Sequence, residues 1–274
     1  MNQVLLLNKQ VGETPLACIE RFRAVHPEYA AVKMTYAGRL DPIAEGLLIV
    51  LTGDQVHNKD DYNKLSKVYE CVALLGVSTD TYDVLGLPTL RVFNSEALSD
   101  IDTATQVDVM VSPEEVSKAL SGFMGSFQQA YPPYSSKTVD GRQLHQIVRA
   151  GELETVEIPT RDVVVESVSD VEVREISQSE ISRQITDIIS RVEGDFRQSD
   201  IALTWADLWT THSEQCAQVP VQLVSFTIAV SSGTYIRGIV HSLGEKLGTG
   251  ACIVSLKRTS IGEFLLSDAK NFIE

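Results

Sequence analysis

The stretch best equipped for chemistry is residues 36–46, Tyr36-Ala37-Gly38-Arg39-Leu40-Asp41-Pro42-Ile43-Ala44-Glu45-Gly46. Its glycine-bearing turn presents one carboxylate, Asp41, before a proline that removes the next backbone donor. Five apolar residues, Leu47 to Leu51, follow, closed by Thr52-Gly53. A short branched run with that ending predicts a buried strand. An aspartate on a turn ahead of a core strand is a way to fix a reactive group. The same residues also suit an aspartate that only caps a turn, because Asp-Pro is common turn chemistry. The local pattern leaves both readings open.

Other chemistries find less support. The cysteines, Cys18, Cys71, Cys216 and Cys252, are scattered without a C-x-x-C pair and read as reduced, mostly buried thiols. The histidines, His26, His57, His145, His212 and His241, show no ligand spacing, so no metal is implied. No apolar run approaches a membrane span, and the N-terminal segment lacks the pattern of a signal peptide. A cytoplasmic protein is expected.

At 274 residues the chain has ample length for a real core, and its 43% hydrophobic content is ordinary for a globular protein. With 23 basic and 37 acidic residues the net charge is −14, which argues against a generic nucleic-acid binder. The acidity is local, however. Residues 95–115 hold six acids and no Lys or Arg, and residues 152–200 hold thirteen acids against five arginines. Residues 116–151 are net basic, carrying Lys118, Lys137, Arg142 and Arg149 against Asp140. Binding to phosphate depends on the face that meets it, so a basic face can coexist with an acidic chain.

The elements that must position Asp41 follow from periodicity and capping. Residues 3–7 predict a strand, and Thr14-Pro15 predict a helix start, with Cys18, Ile19, Phe22 and Val25 on one face. Lys9 falls in the intervening loop, where its ammonium could meet phosphate or only solvent. Residues 67–76 alternate as a strand containing Tyr69, followed by a polar loop over 77–86. Residues 89–110 read as an acidic surface loop without chemistry. Ser112-Pro113-Glu114-Glu115 is a capping-box helix start. Lys137, Arg142 and Arg149 near Tyr131 and Tyr134 suit a nucleic-acid surface. Val163 to Val165 and Val168 to Val173 predict two strand segments. Across 176–218, Ile181, Ile185, Ile188 and Val192, then Ile201, Trp205, Leu208 and Trp209, predict a helical hairpin whose tryptophans serve packing. A strand over 223–231 precedes Ser231-Ser232-Gly233-Thr234-Tyr235-Ile236-Arg237 and a helix ended by Gly248, with Arg237 off the apolar stripe.

Several of these segments, in this order, resemble the TruB family of tRNA pseudouridine synthases. Gly38-Arg39-Leu40-Asp41-Pro42-Ile43-Ala44-Glu45-Gly46 is similar to that family's catalytic motif. Lys67-Val68-Tyr69 with Thr79-Asp80-Thr81-Tyr82-Asp83, then Pro132-Pro133-Tyr134 to Arg142, Ser231 to Arg237, and Gly250 to Thr259 resemble its other motifs. The resemblance covers about residues 3–90 and 112–264, apart from the hairpin. Tyr36 stands where the family usually has histidine, Gln10 replaces a proline, and one residue is missing between Pro133 and Tyr134.

The resemblance implies an α+β (mixed α/β) pseudouridine synthase fold with a largely antiparallel sheet and flanking helices. It forms one catalytic domain over 1–274, with a helical insertion at about 176–218 and no C-terminal PUA-like module. The implied activity is isomerisation of uridine-55 in the tRNA T loop, without cofactor or metal. Asp41 would be the reactive carboxylate, Arg237 the cation that keeps it ionised, and Tyr69 the ring against the base. Tyr235 and Leu256 would wall the pocket, with Tyr36, Gly38, Arg39, Lys9, Lys137 and Arg142 on the RNA. The expected partner is the T arm of tRNA, and the expected state is a monomer. A synthase acting on ribosomal RNA, or a non-catalytic RNA-binding or RNA-folding protein on the same fold, are the alternatives.

Overall fold

The computed structural model describes residues 1–90, 110–210 and 221–269. Residues 91–109 of the predicted loop over 89–110, the end of the predicted hairpin, Cys216 and His212 lie outside these residues. The described strands are β1 (Val4–Lys9), β2 (Met34–Ala37), β3 (Ala44–Thr52), β4 (Lys67–Leu75), β5 (Val77–Thr79), β6 (Pro88–Leu90), β7 (Gly125–Ala130), β8 (Thr138–Val139), β9 (Arg142–Gln143), β10 (Thr160–Ile176), β11 (Val221–Val230), β12 (Ala251–Ile261) and β13 (Phe264–Leu265). The described α-helices are α1 (Pro15–Val25), α2 (Lys59–Asn63), α3 (Pro113–Ser121), α4 (Leu144–Arg149), α5 (Gln178–Ser190), α6 (Gln198–Thr210) and α7 (Ile236–Leu247).

A nine-stranded sheet runs β1-β3-β12-β4-β11-β10-β7, with β2 paired to β3 and β13 to β12. Among the described residues its pairings are antiparallel except β3 against β12. With helices packed on this sheet, the protein is an α+β fold, as the sequence predicts.

The apolar run of β3 is explained by burial on both faces. Leu48 and Val50 pack with Leu5, Leu7 and the α1 residues Cys18, Ile19 and Phe22. Leu47, Ile49 and Leu51 meet Ile261, Leu65 and Phe264 on the other side. Truncating any of these leucines to alanine would leave a cavity costing roughly 2–5 kcal/mol. The caps form where the sequence places them. Thr14 accepts from the Ala17 amide, Ser112 and Glu115 form a reciprocal capping box, and Gly248 ends α7 at φ +70°.

Two predicted strand segments in 163–173 are one strand, β10. The alternation breaks near Glu166-Ser167 because bulges shift the register there and again before Glu172, with Asp170 at φ +53°. The polar stretch 77–86 is not all loop, since β5 pairs with β6. Helices α5 and α6 lie against each other, and Ile181, Ile185, Ile189, Ile201 and Trp205 are buried in the main core. Trp205 is a packing residue, as expected, and its Nε1 also donates to Val84 O at 3.0 Å. Cys18, Cys71 and Cys252 are free and buried.

Candidate active site

The turn that carries Asp41 closes through an Ala44 amide donating to Asp41 O at 3.0 Å, with proline in its second position. Leu40 and Ile43 on either side are buried, so the backbone is anchored while the Asp41 side chain remains 32% exposed. Gly38, at φ +73°, donates its amide to Asn63 Oδ1 and accepts at its carbonyl from Arg258 Nη2. Gly46, at φ +103°, lets β3 approach β12, because a Cβ there would lie 2.4 Å from Arg258 O. Both glycines of the motif are thus demanded by backbone geometry.

Arg237 enters from the first turn of α7. Its Nε donates to Asp41 Oδ2 at 2.6 Å and its Nη1 to Thr81 O at 2.6 Å, and Asp83 Oδ2 lies 3.6 Å from Nε. Burial opposes the charge on this guanidinium, but Asp41 and Asp83 more than offset it and hold its pKa above the ordinary value. Asp83 is buried and accepts from Thr81 Oγ1 and the Leu85 amide. Burial, reinforced by the Asp41 charge and opposed by Arg237, pushes its carboxyl up to about 6. The start of α7 is held from β7. Gln129 donates to Tyr235 O and accepts from the Tyr235 amide, both at 2.9 Å.

Asp41 and Arg237 lie where two lobes of a cleft meet. The first lobe, about 360 Å³, is lined by Gly38, Tyr69, Tyr235 and Leu256, with Arg39, Lys67, Arg161 and Arg258 as its further cations. Among the described residues, Asp41 is the one acid that lines it. The second lobe, about 470 Å³, is lined by Tyr36, Tyr134, Phe196, Asp83, Arg149 and Arg197, and shares Arg39, Asp41 and Arg237 with the first. The cleft is therefore cation-rich in a chain of net charge −14. Tyr69 is buried on the central strand β4, opposite Arg258 of β12 and Ile228 of β11. Burial, then the Asp41 charge, raises the Tyr235 phenol above its ordinary value.

Of the residues singled out from sequence, Asp41, Tyr69, Arg237, Tyr235, Leu256, Gly38 and Arg39 gather in the first lobe, whereas Tyr36 faces the second beneath Lys59. Lys9 requires a correction. It is fully buried, and its Nζ donates to Gln10 O, Pro42 O and Ala44 O at 3.0, 3.3 and 2.5 Å. It belongs to β1 rather than a loop tip and clamps the turn from beneath. Burial lowers its pKa to about 8. Lys137 lies over the Tyr131 ring, and Arg142 is paired with Glu152 at 2.6 Å; neither lines the cleft.

Sequence reasoning also missed residues. It gave Asp83 no role, yet Asp83 sits on the same arginine; its signal was the Thr-Asp-Thr-x-Asp spacing, recognised as a family-like motif but assigned only to a polar loop. Lys67 donates to the Asn63 and Leu65 carbonyls, and its pKa is lowered to about 8 by burial and then by Arg258 and Arg161. Gln129 and Arg197 carry no local motif and are found only through the fold. Among the described residues, no three His, Cys, Asp or Glu side chains gather as a metal would need, and no helix is long and apolar enough to cross a membrane.

Comparison with known proteins follows the same outline. Residues 26–188 match the family model described as TruB family pseudouridylate synthase (N terminal domain). The chain is 30% identical over 266 residues to the tRNA pseudouridine synthase B of Ralstonia nicotianae, covering 97% of this chain and 65% of that protein. It is 27% identical to the protein of that name from Treponema denticola, covering 99% of this chain and 63% of the relative. The chain thus spans just under two thirds of these relatives. A chain in the crystal structure of a Cbf5-Nop10-Gar1 complex superposes with a TM-score of 0.53 at 19% identity, covering 96% of this chain and 49% of that one, and shares the fold.

Proposed function

This chain belongs to the TruB family of pseudouridylate synthases, and from that membership we propose that it isomerises uridine in tRNA to pseudouridine, at uridine-55 of the T loop. The observation that carries the reading is the Asp41–Arg237 pair at the meeting point of a cation-rich cleft. The reaction breaks the N1–C1′ bond of the nucleotide, turns the uracil, forms C5–C1′, releases the C5 proton and leaves a proton on N1, so that atoms balance. It needs an ionised carboxylate beside the sugar and C6, as nucleophile or base. The permanently charged Arg237 guanidinium donates to Asp41 Oδ2 at 2.6 Å, so it orients that carboxylate and complements its charge.

Tyr69 offers a ring on which the base, flipped from its loop, can rest, and such stacking offsets part of the cost of unstacking it. Leu256 and Tyr235 wall the same lobe. Arg39, which is exposed, and the half-buried Arg161 supply positive charge where phosphates would approach, so the net acidity of the chain is no obstacle. The partner is the T arm of tRNA, and the protein acts as a monomer in the cytoplasm.

The experiment is to incubate the purified protein with full tRNA transcripts and with ribosomal RNA fragments, and to map pseudouridine by carbodiimide treatment and primer extension. A stop at the T-loop uridine alone is expected. Stops confined to ribosomal RNA would replace the substrate assignment, and tight tRNA binding with no stop would leave an RNA-binding protein on this fold.

A further inference from the structure

The helical hairpin α5–α6 has no counterpart in the family pattern read from the sequence, yet three of its contacts converge on the catalytic pair. Arg197, between α5 and α6, donates through Nη1 to Asp80 Oδ2 at 2.9 Å and lies 4.6 Å from the centre of the Tyr134 ring. Its backbone, at φ +64°, and the Gln198 side chain, which donates to Val192 O and accepts from the Phe196 amide, hold this connection in a defined path. Trp205 of α6 donates to Val84 O at 3.0 Å. Asp80 and Val84 bracket Thr81 and Asp83, whose carbonyl and carboxylate respectively face Arg237. The hairpin therefore grips this short segment at both ends. A third contact reaches the other half of the pair. The Glu193 amide donates to Gly12 O at 3.0 Å, and the Gly12 amide donates to Pro42 O at 2.9 Å, in the turn that carries Asp41.

We propose that the α5–α6 hairpin is a positioning element for the Asp41–Arg237 pair, with Arg197 as the positioning residue that fixes the Asp80–Val84 segment behind Arg237. The proposal rests on the aspartate-centred reading above. The charge of Arg197 is already committed to Asp80, and both side chains are largely covered. Its influence on catalysis therefore passes through Asp80 and the segment that follows, and small displacements of a catalytic group are amplified in rate.

The test compares wild type with R197A, R197K, D80N and W205F by single-turnover kinetics on T-arm RNA and by amide hydrogen exchange of residues 81–85. D80N breaks the pair from the other side while keeping an oxygen for the Leu87 amide, which Asp80 Oδ1 now accepts at 2.8 Å. R197A and D80N are expected to match each other, each slowing the rate at saturating RNA about tenfold with little change in apparent affinity. R197K should recover most of the loss, and exchange protection at Val84 and Leu85 should fall about tenfold in R197A, D80N and W205F. An R197A defect confined to apparent affinity, or a D80N enzyme with wild-type rate, would overturn the proposal in favour of direct RNA contact. Unchanged exchange protection would overturn it whatever the kinetics. If wild type turns over no RNA, the activity proposed above fails, and the exchange measurements still decide whether the hairpin holds the segment.

Discussion

Two buried cations bracket the Asp41 turn, and they differ in what they face. Arg237 meets the turn on its side-chain face, between the carboxylates of Asp41 and Asp83, and its charge is reinforced. Lys9 meets it from the backbone face, among three carbonyls, and burial lowers its pKa to about 8. The difference separates the cation that faces the cleft from the one that holds the backbone. Formal charges stabilise an ionised carboxylate, whereas carbonyls only solvate an ammonium that folding has stripped of water. Arg237 holds the Asp41 side chain, and Lys9 sets the path of the chain beneath it.

Removing each cation should separate these roles. Arg237→Met leaves two neighbouring carboxylates without their shared partner. We expect a loss of roughly 3–5 kcal/mol in stability, by urea unfolding, and a fall of about 10³-fold in single-turnover rate. Lys9→Met strands the Pro42 and Ala44 carbonyls and should cost roughly 1–3 kcal/mol by the same measurement. Its rate loss should stay within about tenfold, since Asp41 keeps Arg237. If Lys9→Met proves as damaging to rate as Arg237→Met, the division of labour is wrong.

The smallest effect is a pH dependence on the Arg237 side. Asp83 binds its proton more tightly folded, at about 6, than in a free chain, at 3.8. Its contribution to stability is therefore fully present below about pH 4 and is lost as the pH rises through 6. The stability of wild type relative to Asp83→Asn should accordingly decline between pH 4 and 7 in parallel unfolding series. A difference that stays flat or grows would place the Asp83 titration elsewhere.

The same contrast explains how much was legible in the sequence. Asp41 and Arg237 were legible because each sits in a local motif, a turn before a strand and a helix start, and the family pattern joined them across 196 positions. Lys9 was placed but misread. Its letter says charge and its neighbours in sequence are polar, while the carbonyls that bury it belong to residues 42 and 44, more than thirty positions away. Asp83 lay in a recognised motif, but its approach to Arg237 is created by α7 docking against that loop. β3 and the capped helices α1 and α3 followed from period and capping, which are local, whereas the antiparallel sheet came from the family resemblance. The continuity of β10 did not, because bulges are decided by the partner strand.

The account stands most directly on Asp41. The measurement that tests it is tritium release from tRNA transcripts labelled at C5 of uridine, comparing wild type with Asp41→Asn, which keeps the shape of the side chain and removes its charge. We predict release by wild type from the T-loop uridine and, in Asp41→Asn, a rate at least about 10³-fold lower with tRNA binding retained. Release by Asp41→Asn at a rate near that of wild type would contradict the account, because the reactive group would then lie elsewhere in the cleft.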